Sequence, residues 1–155
     1  ARHPGWQLDI YGDGEMENDM RAEMERLGIE DSVVMHGSVS DIAGMYAGSA
    51  MLLLCSRSEG LPMVIIEAMR SGLPVVSTDC PYGPADIIKN GENGLLVAQD
   101  DDAAFVDAVS TLMEDGARRK EMGKRASETS VIYSKHNIVE TWKSFWQSIG
   151  NSPLS

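Results

Sequence analysis

The middle of the sequence contains an apolar run, a short polar loop and a second apolar run, a pattern that few folds accommodate. The first run ends at Cys55, the loop covers residues 56–61, and the second run begins at Pro62 and is closed by Gly72. This order predicts a strand, a loop, a helix and a further strand. Proline suits a first helical turn because its missing N–H has no intrahelical acceptor there, and Gly60 lets a ligand approach the backbone closely. The free N–H groups at the start of such a helix predict an anion site.

Two carboxylates flank this predicted site, with seven residues between them. Glu59 lies in the loop, whereas Glu67 is five residues past Pro62, so it stands about 7–8 Å further along the helix axis. With a diphosphate at the helix start, Glu67 could accept both hydroxyls of a ribose, and Glu59 could accept hydroxyls of a sugar. The alternative is that Glu67 is a solvated residue with Arg70 as its partner one helical turn away. Spacing alone leaves both interpretations open.

Two further motifs follow the pair of glutamates: Gly-Leu-Pro-Val-Val-Ser-Thr-Asp at residues 72–79 and Asn-Gly-Glu-Asn-Gly-Leu-Leu-Val at residues 90–97. Together the three motifs resemble the retaining GT-B glycosyltransferases of glycosyltransferase family 4, the glycosyl transferases group 1, from about Trp6 to Trp146. The resemblance implies an α/β fold, a Rossmann-like parallel sheet with helices on both faces, which forms the C-terminal half of a GT-B fold.

The same resemblance implies an enzyme, a retaining hexosyltransferase. It would move a hexose or N-acetylhexosamine from a nucleotide diphosphate sugar, with UDP favoured, to a glycan or lipid-linked acceptor in polysaccharide or cell-surface glycan synthesis. Glu59 is the predicted catalytic residue. The predicted donor-binding residues are Gly60, Leu61, Pro62, Met63, Glu67, Gly12, Val39 and Asp41. The N–H groups around residues 61–63 would stabilise the leaving diphosphate without a metal or a cofactor.

Three of these residues, Gly12, Val39 and Asp41, come before the central stretch, and two of them have a structural alternative. Gly12 belongs to a Gly-Asp-Gly turn that resembles the edge of the donor cleft, but a purely structural turn explains it about equally well. In relatives, the backbone at the position of Val39 touches the nucleobase and the position of Asp41 lies beside it. Asp41 also fits the first turn of a helix. His36 could stack on the base or have a structural role.

Net charge, motif spacing and the cysteine pattern argue against several other classes of function. A formal net charge of -11 over 155 residues argues against nucleic acid, which is bound by clustered Lys and Arg. Glu17 replaces the third glycine of a dinucleotide fingerprint, so no nicotinamide site is expected. The three histidines have no metal-ligand spacing, and no metal site is expected. Cys55 and Cys80 form no CxxC pair and fit small buried residues of a reducing compartment, although Cys55 is also a weak nucleophile candidate.

The predicted organisation is one donor-binding domain at residues 1–150, followed by a tail at 151–155. Compared with the family, it lacks a first strand bearing Gly-Arg and Lys, and an N-terminal acceptor domain. That domain, a nucleotide sugar and an acceptor are the expected partners. A cytoplasmic location is expected, with peripheral contact to the inner face of a membrane made only through the missing part. The second hypothesis is a non-catalytic nucleotide-sugar-binding or scaffolding module.

The end of the chain carries an aromatic and aliphatic stripe at helical spacing. Its members are Ile138, Val139, Trp142, Phe145, Trp146 and Ile149. This spacing predicts a packing face. The resemblance implies that the last helix reaches toward the partner domain, which would leave part of the stripe exposed in this chain.

Overall fold

The computed structural model describes residues 3–150, so the predicted tail at 151–155 lies outside the described residues. Strands and helices alternate along most of the chain. In order they are β1 (Leu8–Tyr11), α1 (Glu17–Leu27), β2 (Val33–Gly37), α2 (Ile42–Gly48), β3 (Leu52–Leu54), α3 (Met63–Arg70), β4 (Val75–Asp79), α4 (Pro84–Ile87), β5 (Gly94–Ala98), α5 (Asp102–Glu114), α6 (Gly116–Ser130), a 3₁₀ turn (Val131–Tyr133) and α7 (Lys135–Gly150).

The chain divides into two compact units, Ala1–Ile42 and Ala43–Ser155. In the first unit β1 and β2 pair in parallel, with Leu8 opposite Val33, and the register shifts just before Tyr11. Helix α1 connects the two strands and buries none of its residues. The first unit is therefore a strand, helix and strand whose two strands end at the same edge.

The second unit contains the main core, built on a parallel sheet in the order β3-β4-β5. Val75, Val76 and Ser77 of β4 are all 0% exposed. Successive residues of a strand point to opposite faces, so both faces of this sheet are covered. Helix α5 covers the face that carries Val76, where Leu112 packs into the same buried cluster.

Helices α3 and α6 pack against each other beside this sheet. Helix α3 buries Ile65, Ile66 and Met69. Gly123 of α6 is buried so close to the turn after α3 that an added Cβ would overlap the carbonyl oxygen of Gly72. The small residue on α6 is what allows this approach.

The predicted α/β class, with parallel strands and alternating helices, is confirmed. The hydrogen bonding differs in one respect from a single continuous sheet. Among residues 3–150 the strands form a two-stranded sheet in the first unit and a three-stranded sheet in the second. Each sheet on its own is parallel throughout.

The stripe at the end of the chain lies on α7, and its six side chains are 40–62% exposed. The aromatic rings contact one another: Trp142 and Trp146 stack with centroids 6.3 Å apart. The predicted packing face is therefore open to solvent along its length in this chain, rather than in part.

Candidate functional site

The loop between β3 and α3 turns sharply at Pro62. Helix α3 begins at Met63, and Pro62 lies one residue before it, with φ -74° and ψ 82°. These angles form an inverse γ-turn, closed by a hydrogen bond in which Met63 N–H donates to the Leu61 carbonyl oxygen over 2.8 Å. The sequence predicted Pro62 inside the first turn and a free N–H group at Met63. The first detail is wrong because the helix begins one residue after Pro62, and the second is wrong because the turn uses the Met63 N–H group.

Other N–H groups remain at this helix start. Within the part of the chain that the structure describes, the N–H groups of Gly60, Leu61 and Val64 donate to no protein acceptor. Gly60 and Leu61 are exposed, and Pro62 behind them is buried. The loop thus carries unused backbone donors on exposed residues next to a buried proline, which suits a ligand with anionic oxygens.

The two glutamates of the predicted pair lie on the loop and on the helix. Glu59 is half-buried, whereas Glu67 is exposed on the second turn of α3, roughly 6 Å past Met63 along the helix axis. The pKa of the buried Tyr46 phenol is raised, first by its burial and second by the Glu67 carboxylate. Among the described side chains, no hydrogen bond or ion pair joins Glu67 to Arg70. The alternative that pairs these two residues gains no support from the structure.

The loop is attached through its main chain to the ends of two neighbouring strands. Thr78 Oγ1 donates to the carbonyl oxygen of Ser56 over 2.9 Å, and Gln99 Nε2 donates to that of Arg57 over 2.9 Å. Sequence reasoning did not single out Thr78 or Gln99. Their position at the carboxyl ends of predicted parallel strands was the available signal, since those ends meet at one edge of a sheet.

Three predicted donor-binding residues lie in the first unit, after the carboxyl ends of β1 and β2. Gly12 has φ 121° and donates its N–H to the Gly37 carbonyl oxygen over 2.8 Å, so the turn itself requires a glycine there. Val39 and Asp41 are exposed in the loop before α2. For all three, a contact with the donor stays a prediction.

His36 has a structural role in the first unit. Its ring stacks on Tyr11 with centroids 4.7 Å apart, and its Nε2 lies 2.6 Å from Asp9 Oδ1. The hydrogen bond from His36, followed in size by one from Gln7, lowers the pKa of the Asp9 carboxyl below its ordinary value of 3.8. Of the two interpretations of His36, this geometry favours the structural one.

The asparagines of the motif at residues 90–97 hold the turn before β5. The buried Asn93 side chain accepts from Lys89 N–H and donates to the Ile87 carbonyl oxygen. Gly94 has no room for a Cβ, which would lie 2.8 Å from the Val75 carbonyl oxygen. Asn93 and Gly94 therefore shape the turn before β5 and its close packing against β4.

Across residues 3–150, no group of three or more His, Cys, Asp or Glu side chains is arranged to hold a metal ion. Cys80 is buried as predicted, but Cys55 is exposed just after β3, so the prediction of a buried residue is wrong for Cys55. Partial desolvation, and then the Asp102 carboxylate, raise the pKa of the Cys55 thiol, which disfavours the nucleophilic thiolate. In the same described range, no helix has the length and apolarity that crossing a membrane requires.

These features define one half of a GT-B glycosyltransferase fold: parallel strands alternating with helices, and a loop and helix start that offer backbone donors between two carboxylates. Solved structures support that class. S. aureus TarM, solved as a mutant with fondaparinux, alpha-GlcNAc-glycerol and UDP, is 28% identical with a TM-score of 0.84, and the match covers 94% of this chain and 29% of TarM. The chain belongs to the glycosyl transferases group 1, whose family model matches residues 1–129.

Curated relatives agree with this membership. An exopolysaccharide phosphotransferase of Streptomyces coelicolor is 36% identical over 148 residues, which is 95% of this chain and 16% of that protein. An uncharacterized glycosyltransferase of Haemophilus influenzae is 34% identical over 142 residues, 92% of this chain and 40% of that protein. The chain thus spans between 16% and 40% of the length of these relatives.

Proposed function

We propose that this chain is the donor-binding part of a retaining glycosyltransferase. The enzyme transfers a hexose or N-acetylhexosamine from a UDP sugar to a glycan or lipid-linked acceptor during polysaccharide or cell-surface glycan synthesis. The observation that carries the proposal is the loop at residues 59–61, whose backbone donors stand between the half-buried Glu59 and the exposed Glu67. Because the chain belongs to the glycosyl transferases group 1, we assign this arrangement to binding of a nucleotide sugar.

The diphosphate is proposed to bind at the start of α3. When the bond between the sugar and the diphosphate breaks, negative charge grows on the leaving phosphate oxygens. The N–H groups of Gly60, Leu61 and Val64 are fixed before the reaction, so they stabilise this charge without reorganising. The proposal requires no cofactor for this step, because the backbone and the start of the helix supply the positive potential.

The two glutamates divide the rest of the donor between them. Glu67 accepts the two ribose hydroxyls, because a carboxylate has two oxygens and accepts charge-assisted hydrogen bonds from both. Glu59 accepts hydroxyls of the transferred sugar and orients it for attack on the face that the leaving group vacates. Glu59 is the more buried of the two, as an orienting group that touches the reacting sugar should be.

The similarity to TarM supports UDP as the nucleotide and N-acetylglucosamine as one candidate sugar, because that protein was solved with UDP and alpha-GlcNAc-glycerol. The Streptomyces coelicolor relative supports a role in exopolysaccharide synthesis, although its name describes a phosphotransferase. Glycosyl transfer and phosphosugar transfer break different bonds of the UDP sugar: the first breaks the bond between the sugar and the diphosphate, and the second breaks the bond between the two phosphates. Transfer of the sugar alone releases UDP, whereas transfer of the sugar with its phosphate releases UMP.

A further domain is part of the proposal, because the chain spans only 16% to 40% of the length of two curated relatives. That domain holds the acceptor against the anomeric carbon, and it also carries any peripheral contact with the inner face of a membrane. The cytoplasm is the proposed location of the protein. Gly12, Val39 and Asp41 remain expected contacts of the donor.

The full-length protein that contains this chain provides the test. It is incubated with UDP-glucose, UDP-galactose, UDP-GlcNAc or UDP-GalNAc and candidate acceptors, and the released nucleotide and the product anomer are identified. We expect UDP and a product with the anomeric configuration of the donor. Release of UMP would support phosphosugar transfer, and saturable donor binding without release of either nucleotide would support the non-catalytic module.

A further inference from the structure

The loop that carries Glu59 is held by hydrogen bonds to its main chain. Thr78, at the end of β4, donates to the Ser56 carbonyl oxygen over 2.9 Å. Gln99, just past the end of β5, donates to the Arg57 carbonyl oxygen over 2.9 Å. Both acceptors lie two or three residues before Glu59, so the two bonds fix where the main chain enters the site.

The segment after β4 supports the other end of the same loop. Gly83 is buried with φ 114°, and a Cβ at this position would overlap Pro62 Cδ and lie 3.3 Å from the Gly60 carbonyl oxygen. Between these two supports, Glu59 N–H donates to the Pro81 carbonyl oxygen over a long 3.5 Å. The loop at residues 56–62 is therefore held at both ends by parts of the chain that carry no predicted contact with the ligand.

We infer that Thr78 and Gln99 are positioning residues, which set the place of Glu59 through the carbonyl groups of Ser56 and Arg57. This inference rests on the proposed function, in which Glu59 orients the transferred sugar. A small displacement of an orienting group costs much more in turnover than in binding of the remote nucleotide. Loss of either bond should thus lower kcat while the affinity for UDP, held at Glu67 and the start of α3, changes little.

The competing interpretation is that these bonds only stabilise the edge of the sheet. The chain offers a matched control, because Thr111 Oγ1 on α5 donates to the Asp107 carbonyl oxygen over 2.8 Å and touches no part of the loop. Thr78→Val and Thr111→Val each remove one hydroxyl-to-carbonyl hydrogen bond with little change in side-chain shape. A purely structural role predicts that Thr78→Val lowers the melting temperature and leaves kcat unchanged, whereas Thr111→Val, which loses only a local bond within its own helix, should change neither.

The experiment uses the full-length protein and measures kcat, KM for the UDP sugar, the dissociation constant of UDP and the melting temperature. We expect Thr78→Val to lower kcat roughly five- to tenfold, the effect of one lost hydrogen bond on the barrier. The dissociation constant of UDP should stay within about twofold. Thr78→Ser keeps the hydroxyl and should restore most of kcat, and Thr111→Val should match the wild type in kcat.

A second variant and a second readout keep the inference testable if Thr78→Val does not fold. Gln99→Ala should also lower kcat more than it weakens UDP binding, and hydrogen exchange at the amide of Glu59, whose N–H donates to the Pro81 carbonyl oxygen, should become faster in both variants but not in Thr111→Val. Unchanged kcat and unchanged exchange in a folded Thr78→Val or Gln99→Ala protein would overturn the inference. Equal losses in Thr78→Val and Thr78→Ser would do the same. A wild-type protein that transfers no sugar would instead contradict the proposed function, and hydrogen exchange would still test the attachment of the loop.

Discussion

At the scale of single residues, Glu59 gives the clearest separation between binding and turnover. Glu59→Gln keeps the size of the side chain but removes the charge that accepts hydroxyls of the sugar. In the full-length protein we expect turnover to fall at least tenfold while UDP affinity stays within about twofold, because UDP without its sugar does not reach this residue. Initial rates and calorimetric titration with UDP measure the two effects. Equal losses of turnover and UDP affinity would mean that Glu59 contacts the nucleotide.

Asp9 gives a prediction about pH. Hydrogen bonds from His36 and Gln7 lower its folded pKa below 3.8, so their stabilising effect is present above the unfolded pKa and is lost as the pH falls through the folded pKa. His36→Phe keeps an aromatic ring beside Tyr11 but removes the larger of these hydrogen bonds. We expect the carboxyl pKa of Asp9, followed by NMR, to rise toward its ordinary value in this variant. An identical titration curve in both proteins would contradict the assigned cause.

Residue spacing could predict the two glutamates and the glycine-containing loop, because carboxylates and backbone donors follow directly from residue type. It could not predict that Met63 N–H is used by the γ-turn at Pro62, because that depends on backbone angles rather than on composition. Thr78 and Gln99 were missed for another reason. Their partners are carbonyl groups 22 and 42 residues away, so their contacts exist only once the strands have assembled.

At the scale of elements, the contact between α6 and the turn after α3 depends on Gly123. A Cβ at this position would overlap the Gly72 carbonyl oxygen and would lie 3.3 Å from Pro74 Cδ. We expect Gly123→Ala to lower the free energy of unfolding by about 1–3 kcal/mol, the usual cost of overpacking. Thermal and urea denaturation measure this change.

Gly116, in the first turn of the same helix, is the matched control. A Cβ there meets only Arg119 Nη2, the end of a flexible side chain, at 3.6 Å. We expect Gly116→Ala to be neutral or slightly stabilising, since alanine has the higher helix propensity. Equal effects of the two substitutions would show that helix propensity, rather than the contact with Gly72, determines the result.

Element types were largely predictable because hydrophobic periodicity and capping residues act locally. Asp101, in the Asp-Asp-Asp run at residues 100–102, accepts a hydrogen bond from Ala104 N–H at the start of α5, and aspartate is a preferred residue at that position. The arrangement of hydrogen bonds between strands was not predictable to the same degree, since the two-stranded and three-stranded sheets depend on which edges meet. The stripe on α7 shows the same limit: periodicity defines an apolar face, but not what covers it.

At the scale of the whole molecule, we expect this 155-residue chain to fold but not to transfer sugar. Folding is expected because the core of the second unit lies within the chain, with Ile65, Val75 and Leu112 fully buried. Transfer needs an acceptor aligned with the anomeric carbon, an effect of about 7–11 kcal/mol, and the proposed further domain provides that alignment. Incubation with labelled UDP sugars and acceptors tests this expectation. A glycoside product formed by this chain alone would contradict it.

Weak nucleotide binding should remain in the isolated chain, because the proposed ribose and diphosphate contacts are all in the second unit. The net charge of -11 opposes a diphosphate, so we expect a dissociation constant for UDP of about 1 mM or weaker, near -4 kcal/mol. Glu67→Ala removes the proposed ribose contact and should weaken UDP binding, because charge-assisted hydrogen bonds contribute about 1.5–3 kcal/mol each. Glu128→Ala removes an exposed carboxylate of α6 and serves as the control.

The most direct measurement of the donor-binding claim is an NMR titration of the chain with UDP, followed at the backbone amides of Gly60, Leu61 and Val64. The account predicts saturable shifts at these three amides in the wild type and in Glu67→Gln, with weaker binding in the latter. It predicts the same shifts in Glu128→Ala and their loss in Glu67→Ala. Absence of shifts at these amides in the wild type, or unchanged UDP affinity in Glu67→Ala, would contradict the assignment of this loop and helix as the donor site.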